Sequence, residues 1–354
     1  MIYSQTGSEI IFTSSIQNEI SELVKNQKTK IFVLTDSNTL IYCLPLIRDF
    51  FSKDTEYFTL LAGEEHKNIE SVIKVWDFLN NNSADRKSLV INLGGGVLCD
   101  LGGFAASTFK RGIDFIHIPT TLLSQVDASV GGKTGIDFKS YKNEIGCFSF
   151  PKKVIIYSEF LKTLDQENIL SGYGEMLKHA FIHDEKYLGE LKRLNLNKEM
   201  LNYAEILAMI KKSVKIKEEV VLADPMENGL RKILNFGHTI GHAFESYFMG
   251  TERELIHGKA VAYGMAVELY LSHIKAGFPE KKLLDTIYYI DTIYGKLEFS
   301  KNDYDKLYEL MTHDKKNEDA LVNFSFIEDF GKPVINRTAC KSEIFKAFDH
   351  YRSI

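Results

Sequence analysis

The sequence predicts an α/β domain built on a parallel sheet, followed by an all-helical domain. Three observations predict it. The first half alternates short apolar runs with segments of helical periodicity, the pattern of strand–helix–strand crossovers onto one sheet. The best of those runs, Ile31–Thr35 (IFVLT) and Ser88–Leu93 (SLVINL), are apolar nearly throughout, as fully buried strands are. From about Asp165 onward the pattern is helical. The chain has 354 residues, enough for about two domains. Residues 1–165 are assigned to the α/β domain and 166–354 to the helical one.

Taken in order, Glu9–Thr13 (EIIFT) reads as a strand and Gln17–Val24 as a helix. Ile31–Thr35 is a strand that stops at Asp36-Ser37-Asn38, residues that favour turns and helix starts. Tyr57–Leu61 is a strand, Glu70–Leu79 a helix, and Ser88–Leu93 a strand ending in three glycines, with a helix starting near Val97. Asp114–Ile118 and Val154–Tyr157 complete the strands. In the second half, Met200–Leu222 places Ile206, Ile210, Val214 and Val221 at helical spacing, with Lys217 on the same face. That lysine either snorkels to the surface or points into a site. Lys259–Ile274 and Tyr304–Met311 are further helices.

Composition narrows the class. The chain is 44% hydrophobic and 26% charged, ordinary for a globular protein. A net charge of -5 argues against nucleic-acid binding driven by overall charge. Four widely spaced cysteines form neither a metal knuckle nor a disulfide framework, so a reducing, cytoplasmic setting is expected. No basic leader with an apolar run opens the sequence, and no apolar run reaches about 18 residues, so neither a signal peptide nor a membrane association is expected.

Chemistry-bearing residues gather at predicted strand ends, where parallel sheets bind ligands. Asp36 is placed to bond a ribose hydroxyl. The stretch GGGVLCDLGGFAA opens a helix whose N–H groups suit a pyrophosphate, although a tight turn explains the glycines alone equally well. Thr120-Thr121 and the turn around Lys133, with Lys142 and Asn143, favour an anion site; taken singly, the lysines also suit a solvated loop. In the second half, Leu230–Tyr247 (LRKILNFGHTIGHAFESY) reads as one buried helix. Arg231, Asn235, His238, His242 and Glu245 line one face, with His238 and His242 aimed into a polar cavity. Two histidines one turn apart supply at most two metal ligands, so a metal needs others from elsewhere.

The block GGGVLCDLGGFAASTFKRGIDFIHIPTTLLSQVDASVGGKTGID resembles the signature of the 3-dehydroquinate synthases. The resemblance continues through Lys142-Asn143, the GEMLK at 174–178, the Arg231–His242 segment, His257-Gly258 and Asp314-Lys315-Lys316. One departure is Cys99, where that family usually has glycine. The resemblance implies a Rossmann-like first domain, with the active site in the cleft between the domains. It implies a lyase that converts 3-deoxy-D-arabino-heptulosonate 7-phosphate to 3-dehydroquinate and phosphate. The cycle runs by transient oxidation with bound NAD, phosphate elimination, re-reduction, ring opening and aldol closure.

It also implies roles. Glu175, His238 and His257 hold Zn2+ or Co2+. Asp36, Asn38, Glu64, Lys67, Gly95, Gly96, Val97, Asp100, Thr120, Thr121, Asp127, Lys142, Phe160 and Thr163 take NAD. Arg111, Lys133, Asn143, Lys178, Lys217, Arg231, Asn235, His242 and Lys315 take substrate. Of these, His242, Lys133, Lys178 and Asn143, together with Asp127, act in catalysis. Arg111 reaches in from the second subunit of a homodimer. The pattern at Lys217, Arg231, Asn235, His242 and Lys315 separates this chain from cyclases of other sugar phosphates. The GGKTG turn separates it from polyol dehydrogenases, which have no phosphate to expel.

Overall fold

The computed structural model describes residues 2–3, 8–26, 29–139, 141–312 and 321–354. Lys315 lies outside the described residues. In chain order the first elements are β1 (Ile2–Tyr3), β2 (Glu9–Phe12), α1 (Ile16–Asn26), β3 (Ile31–Asp36), α2 (Ser37–Tyr42), β4 (Glu56–Leu60), α3 (Ile69–Asn81), β5 (Leu89–Gly94) and α4 (Gly96–Thr108). Then come β6 (Asp114–Pro119), β7 (Lys133–Phe138), β8 (Tyr141–Phe148) and β9 (Lys153–Ile156). The second half holds α5 (Gln166–His183), α6 (Glu185–Leu191), α7 (Tyr203–Ala223), α8 (His238–Phe248), α9 (His257–Ala276), α10 (Glu280–Tyr294) and α11 (Tyr304–Met311). It ends in β10 (Val322–Asp329), β11 (Lys332–Ala339) and α12 (Lys341–Ser353).

Two compact units emerge: Met1–Asp165 with Lys198–Glu218, and Gln166–Asn197 with Glu219–Ile354. The sequence reading gave all of 166–354 to the second. Residues 198–218 instead belong to the first, because their packing partners are there. Lys217 Nζ donates to the Asp127 carbonyl and carboxylate at 2.7 Å. Lys211 lies over the Phe12 ring, and Lys162 over Tyr203. Ile206, Ile210 and Val214 are fully buried.

The first unit is a seven-stranded sheet in the order β1-β2-β9-β6-β5-β3-β4. All pairs are parallel except β1 with β2. From β3 the chain steps outward to β4, then returns past β3 to β5 and continues the other way through β6 to β9. The direction of winding therefore switches between β3 and β5, where open α/β sheets take their ligands. Every residue of β5 is buried, which explains its unbroken apolar run. Among the described residues the second unit is helical, with one antiparallel hairpin, β10–β11, that the all-helical expectation omitted. Among the described residues no helix is long and apolar enough to cross a membrane.

Inside the sheet, Asn92 of β5 faces His117 of β6 across the ladder, and Asn92 Nδ2 lies 3.2 Å from His117 Nδ1. With the amide donating, that ring nitrogen accepts and the imidazole is neutral. Burial drives its pKa from 6.5 down to about 3. The folded ring thus binds fewer protons than the unfolded one across that window. Its contribution to stability is complete above pH 6.5 and is lost as pH falls toward 3, amounting to roughly 5 kcal/mol at most. His117→Asn, which keeps an acceptor, is expected to flatten the acid limb of a stability-versus-pH curve. An unchanged slope would show that this histidine does not set it.

Candidate active site and metal centre

The carboxyl ends of β3 and β5 carry the expected nucleotide residues. Asp36 caps α2: its Oδ1 accepts from Asn38 N and Thr39 N at 2.9 and 2.8 Å. One oxygen of the proposed ribose ligand is therefore already a helix cap, and Asn38 is exposed beside it. Gly95, Gly96 and Val97 are half-exposed at the start of α4, whose first N–H groups have no partner within the helix. A Cβ on Gly95 would meet Thr121 Cγ2 at 3.2 Å, and one on Gly96 would meet Ala128 Cβ at 3.2 Å. Thr120 N donates to Gly94 O at 3.0 Å and ties the ends of β5 and β6 together. Cys99, the departure from the family, points into the core and is fully buried; burial holds its thiol protonated. Its Sγ lies 4.0 Å from Gly94 O, against the end of β5 below the turn. Thr163 donates to Phe160 O at 2.7 Å. The Phe160 ring, expected at the cofactor, is instead fully buried in the core against Tyr157, because an apolar ring at this level packs inward.

A buried cation joins this region to the β7–β8 hairpin, a stretch that the sequence reading gave as an anion site without a hairpin. Lys67, 3% exposed, donates to Asp100 Oδ2 at 2.7 Å and to Asn143 Oδ1. Burial opposes its charge, but Asp100 and Glu64 overrule it and push its pKa up to about 12. Asn143 has φ +55 and is held there by its N–H to Asp137 Oδ1 at 2.8 Å. Lys142 approaches Glu64 at 4.0 Å, and Lys133 is exposed. Gly135 and Gly146 are register partners. A Cβ on either would lie 2.7 or 2.2 Å from a carbonyl oxygen of the opposite strand. Strand approach, rather than anion binding, therefore accounts for these two glycines.

Asp127 sits on a π-type turn, Ser124–Ala128. The turn is anchored by the fully buried Gln125, whose amide donates to Tyr157 O at 3.1 Å. Lys217, 7% exposed and bonded to this turn at Asp127, points inward rather than snorkelling. Arg111 is exposed, and lies with Lys110 in a left-handed turn (φ +69 and +49) ahead of Gly112.

In the second unit, α5, α8 and α9 bring three expected ligands together. Glu175 is completely buried. Its Oε1 lies 3.5 Å from both His238 Nε2 and His257 Nε2. Four-coordinate zinc with bonds of about 2.1 Å has donor–donor edges of roughly 3.4 Å, and both of these carboxylate–imidazole edges match that length. The other ring nitrogens are held as metal-bound histidines require. His238 Nδ1 is 3.3 Å from Phe236 O, and His257 Nδ1 is 3.3 Å from Glu245 Oε2. Glu245 lay on the sequence stripe without a role; the structure places it behind His257. Burial, with Lys178 adding to it, holds His238 neutral. Desolvation opposes charge on His257 as well, yet its bonds to Glu175 and Glu245 push it up to about 10. Lys178, 2% exposed on its side chain, is ion-paired with Glu175. Helices α5 and α9 touch at glycines: a Cβ on Gly174 would lie 2.2 Å from Gly258 O.

The segment 230–247 is not one helix. A 3-10 turn, Leu230–Asn235, ends at Gly237, whose φ of +80 resets the direction before α8 begins. Arg231 and Asn235 therefore leave the stripe carrying His238. Arg231 is buried and donates to Pro225 O at 2.8 Å; Asn235 Nδ2 donates to Glu227 Oε1 at 3.2 Å. His242, expected to point into a buried cavity, is exposed, and ring nitrogens of His238, His242 and His257 lie within 4.8 Å of one another. The His242 ring centroid is 5.2 Å from that of His238 and 5.6 Å from that of His257.

This fold is that of the sugar phosphate cyclases. A solved 2-deoxy-scyllo-inosose synthase, complexed with carbaglucose-6-phosphate, NAD+ and Co2+, superposes with TM-score 0.85, at 22% identity over 96% of each chain. A 2-epi-5-epi-valiolone synthase from Streptomyces hygroscopicus, with NAD+ and Zn2+ bound, gives 0.84 at 24% identity, covering 98% of this chain and 97% of its own. Sequence is more specific. Residues 57–171 match the 3-dehydroquinate synthase N-terminal family and 172–317 its C-terminal family. The 3-dehydroquinate synthase of Parabacteroides distasonis is 45% identical over 97% of this chain and 98% of its own. The chain belongs to the 3-dehydroquinate synthase family.

Proposed function

We infer that this chain is a 3-dehydroquinate synthase, a lyase that converts 3-deoxy-D-arabino-heptulosonate 7-phosphate to 3-dehydroquinate and phosphate in the shikimate route to aromatic amino acids. The observation that carries the reading is the buried Glu175 meeting His238 and His257 at 3.5 Å, in a chain that runs with 3-dehydroquinate synthases along nearly its whole length. Bound NAD supplies a reversible hydride acceptor, and Zn2+ or Co2+ on Glu175, His238 and His257 supplies Lewis acidity toward a substrate oxygen.

The chain's own residues do the rest. Asp36, Asn38, Gly95, Gly96, Val97, Thr120, Thr121 and Thr163 border the nucleotide. Lys67 and Asp100 lock its turn to the hairpin, with Glu64 and Lys142 alongside. Lys133 and Asn143, with Arg111 from a second subunit, receive the phosphate. Arg231, Asn235, Lys217 and Lys315 receive the carboxylate and hydroxyls, while Asp127 holds the Lys217 ammonium and Lys178 neutralises Glu175. His242, being exposed, is suited to pass a proton between substrate and solvent. The working form is a cytoplasmic homodimer.

Phosphate release from 3-deoxy-D-arabino-heptulosonate 7-phosphate tests this reading. Release that needs NAD and metal, without net NADH, is expected. NADH accumulating from a polyol would replace the reading with a dehydrogenase. Arg111→Ala is expected to weaken substrate binding 10-fold or more, on the order of a lost charge-assisted bond, and NAD binding little. Mixing Arg111→Ala with the separately inactive His257→Ala is expected to recover activity, since a hybrid dimer contains one intact site. No recovery would place Arg111 in its own subunit's site.

A further inference from the structure

Helix α9 begins with His257 and carries Glu268 eleven residues later, on nearly the same face and about 16 Å along the axis. Glu268 is completely buried. It makes no ion pair among the described residues; its partners are backbone. Oε2 accepts from Gly237 N at 2.7 Å, and Oε1 from Ile240 N at 3.1 Å. These N–H groups belong to the N-cap and the third residue of α8, the helix that opens with His238. Gly237 has no side chain with which to cap that helix. The carboxylate of a neighbouring helix takes the part of the cap.

The backbone around it has no slack. A Cβ on Gly237 would lie 2.3 Å from Met265 Cγ, and one on Gly264 would lie 2.0 Å from Gly237 O. The start of α8 is thus wedged against α9 and pinned there by Glu268. An isolated buried carboxylate is costly, and an apolar side chain would fill the space more cheaply. Here the cost falls beside a histidine whose Nδ1 already leans on Phe236 O, one residue before the pinned Gly237.

We propose that Glu268 is a positioning residue that sets the His238 imidazole by pinning the N-terminus of α8 to the helix that carries His257. The proposal rests on the assignment of Glu175, His238 and His257 as a metal centre. It makes α9 the common frame for two ligands: it supplies one and orients the other.

The test is titration of the metal-free full-length enzyme with Co2+, read by visible absorption and by equilibrium dialysis, beside thermal melting of the metal-free form. Glu268→Ala removes both acceptors; Glu268→Gln keeps one and turns a donor on the other N–H. The expected result is a 10- to 100-fold weaker Co2+ affinity for Glu268→Ala, as for lost supports of metal ligands. Glu268→Gln is expected to lose less, and both are expected to shift the cobalt absorption envelope. A lower melting temperature with unchanged affinity and envelope would reduce Glu268 to a stabilising cap and overturn the proposal. Should Glu268→Ala fail to fold, Glu268→Gln decides alone. His257→Ala is the control. If it too binds Co2+ like the unaltered protein, the metal-centre reading falls; if it loses Co2+ while both Glu268 variants keep it, only the positioning role falls.

Discussion

His257→Ala is expected to abolish retained metal and to lower turnover by on the order of 10³-fold or more, about 4 kcal/mol of transition-state stabilisation. The imidazole links two buried carboxylates, Glu175 through Nε2 and Glu245 through Nδ1. Without it the donor set drops to one carboxylate and one histidine, too few for a closed set of protein ligands. The side chain is 29% exposed, so its truncation opens no large hole in the core. Metal analysis after dialysis, alongside the phosphate-release assay, checks this. A variant that kept its metal and its rate would remove His257 from the ligand set.

The second large effect is on stability. Lys178→Met is expected to cost the metal-free protein roughly 3–5 kcal/mol, because it takes from the buried Glu175 carboxylate its ammonium partner and leaves the partly exposed His257 imidazole beside it. Both partners of that pair are almost wholly buried. A divalent cation on Glu175 would neutralise the stranded charge, so saturating Co2+ or Zn2+ is expected to restore much of the loss. Melting curves with and without metal separate the two conditions. Equal destabilisation in both would mean that Lys178 stabilises the helix independently of the charge on Glu175.

The parallel strands were legible because burial on both faces writes an unbroken apolar run. Ile31–Thr35 became Ile31–Asp36, and Ser88–Leu93 became Leu89–Gly94. The helix after the three glycines begins one residue earlier than expected. The β7–β8 hairpin escaped because Gly135 and Gly146 serve close approach of two backbones, while beside lysines they read as an anion loop. The break at Gly237 was hidden by a side-chain spacing that continued through it. Nothing local tells a helix which unit it will pack on, so residues 198–218 were misassigned. The metal ligands could be named from the motif resemblance. The supports behind them, Glu245 and Glu268, are identified only by contacts between helices distant in sequence.

Because the chain crosses between its units at 165–166, 197–198 and 218–219, the first unit is discontinuous. During synthesis its final segment emerges only after residue 218. Until then the first unit lacks the fully buried side chains of Ile206, Ile210 and Val214, and Asp127 lacks the ammonium of Lys217. Domains generally complete in the order they leave the ribosome, but this one must wait while the opening helices of the second unit are already being made. A fragment ending at residue 165, the boundary that local pattern suggests, would leave the ribosome with an apolar face uncovered.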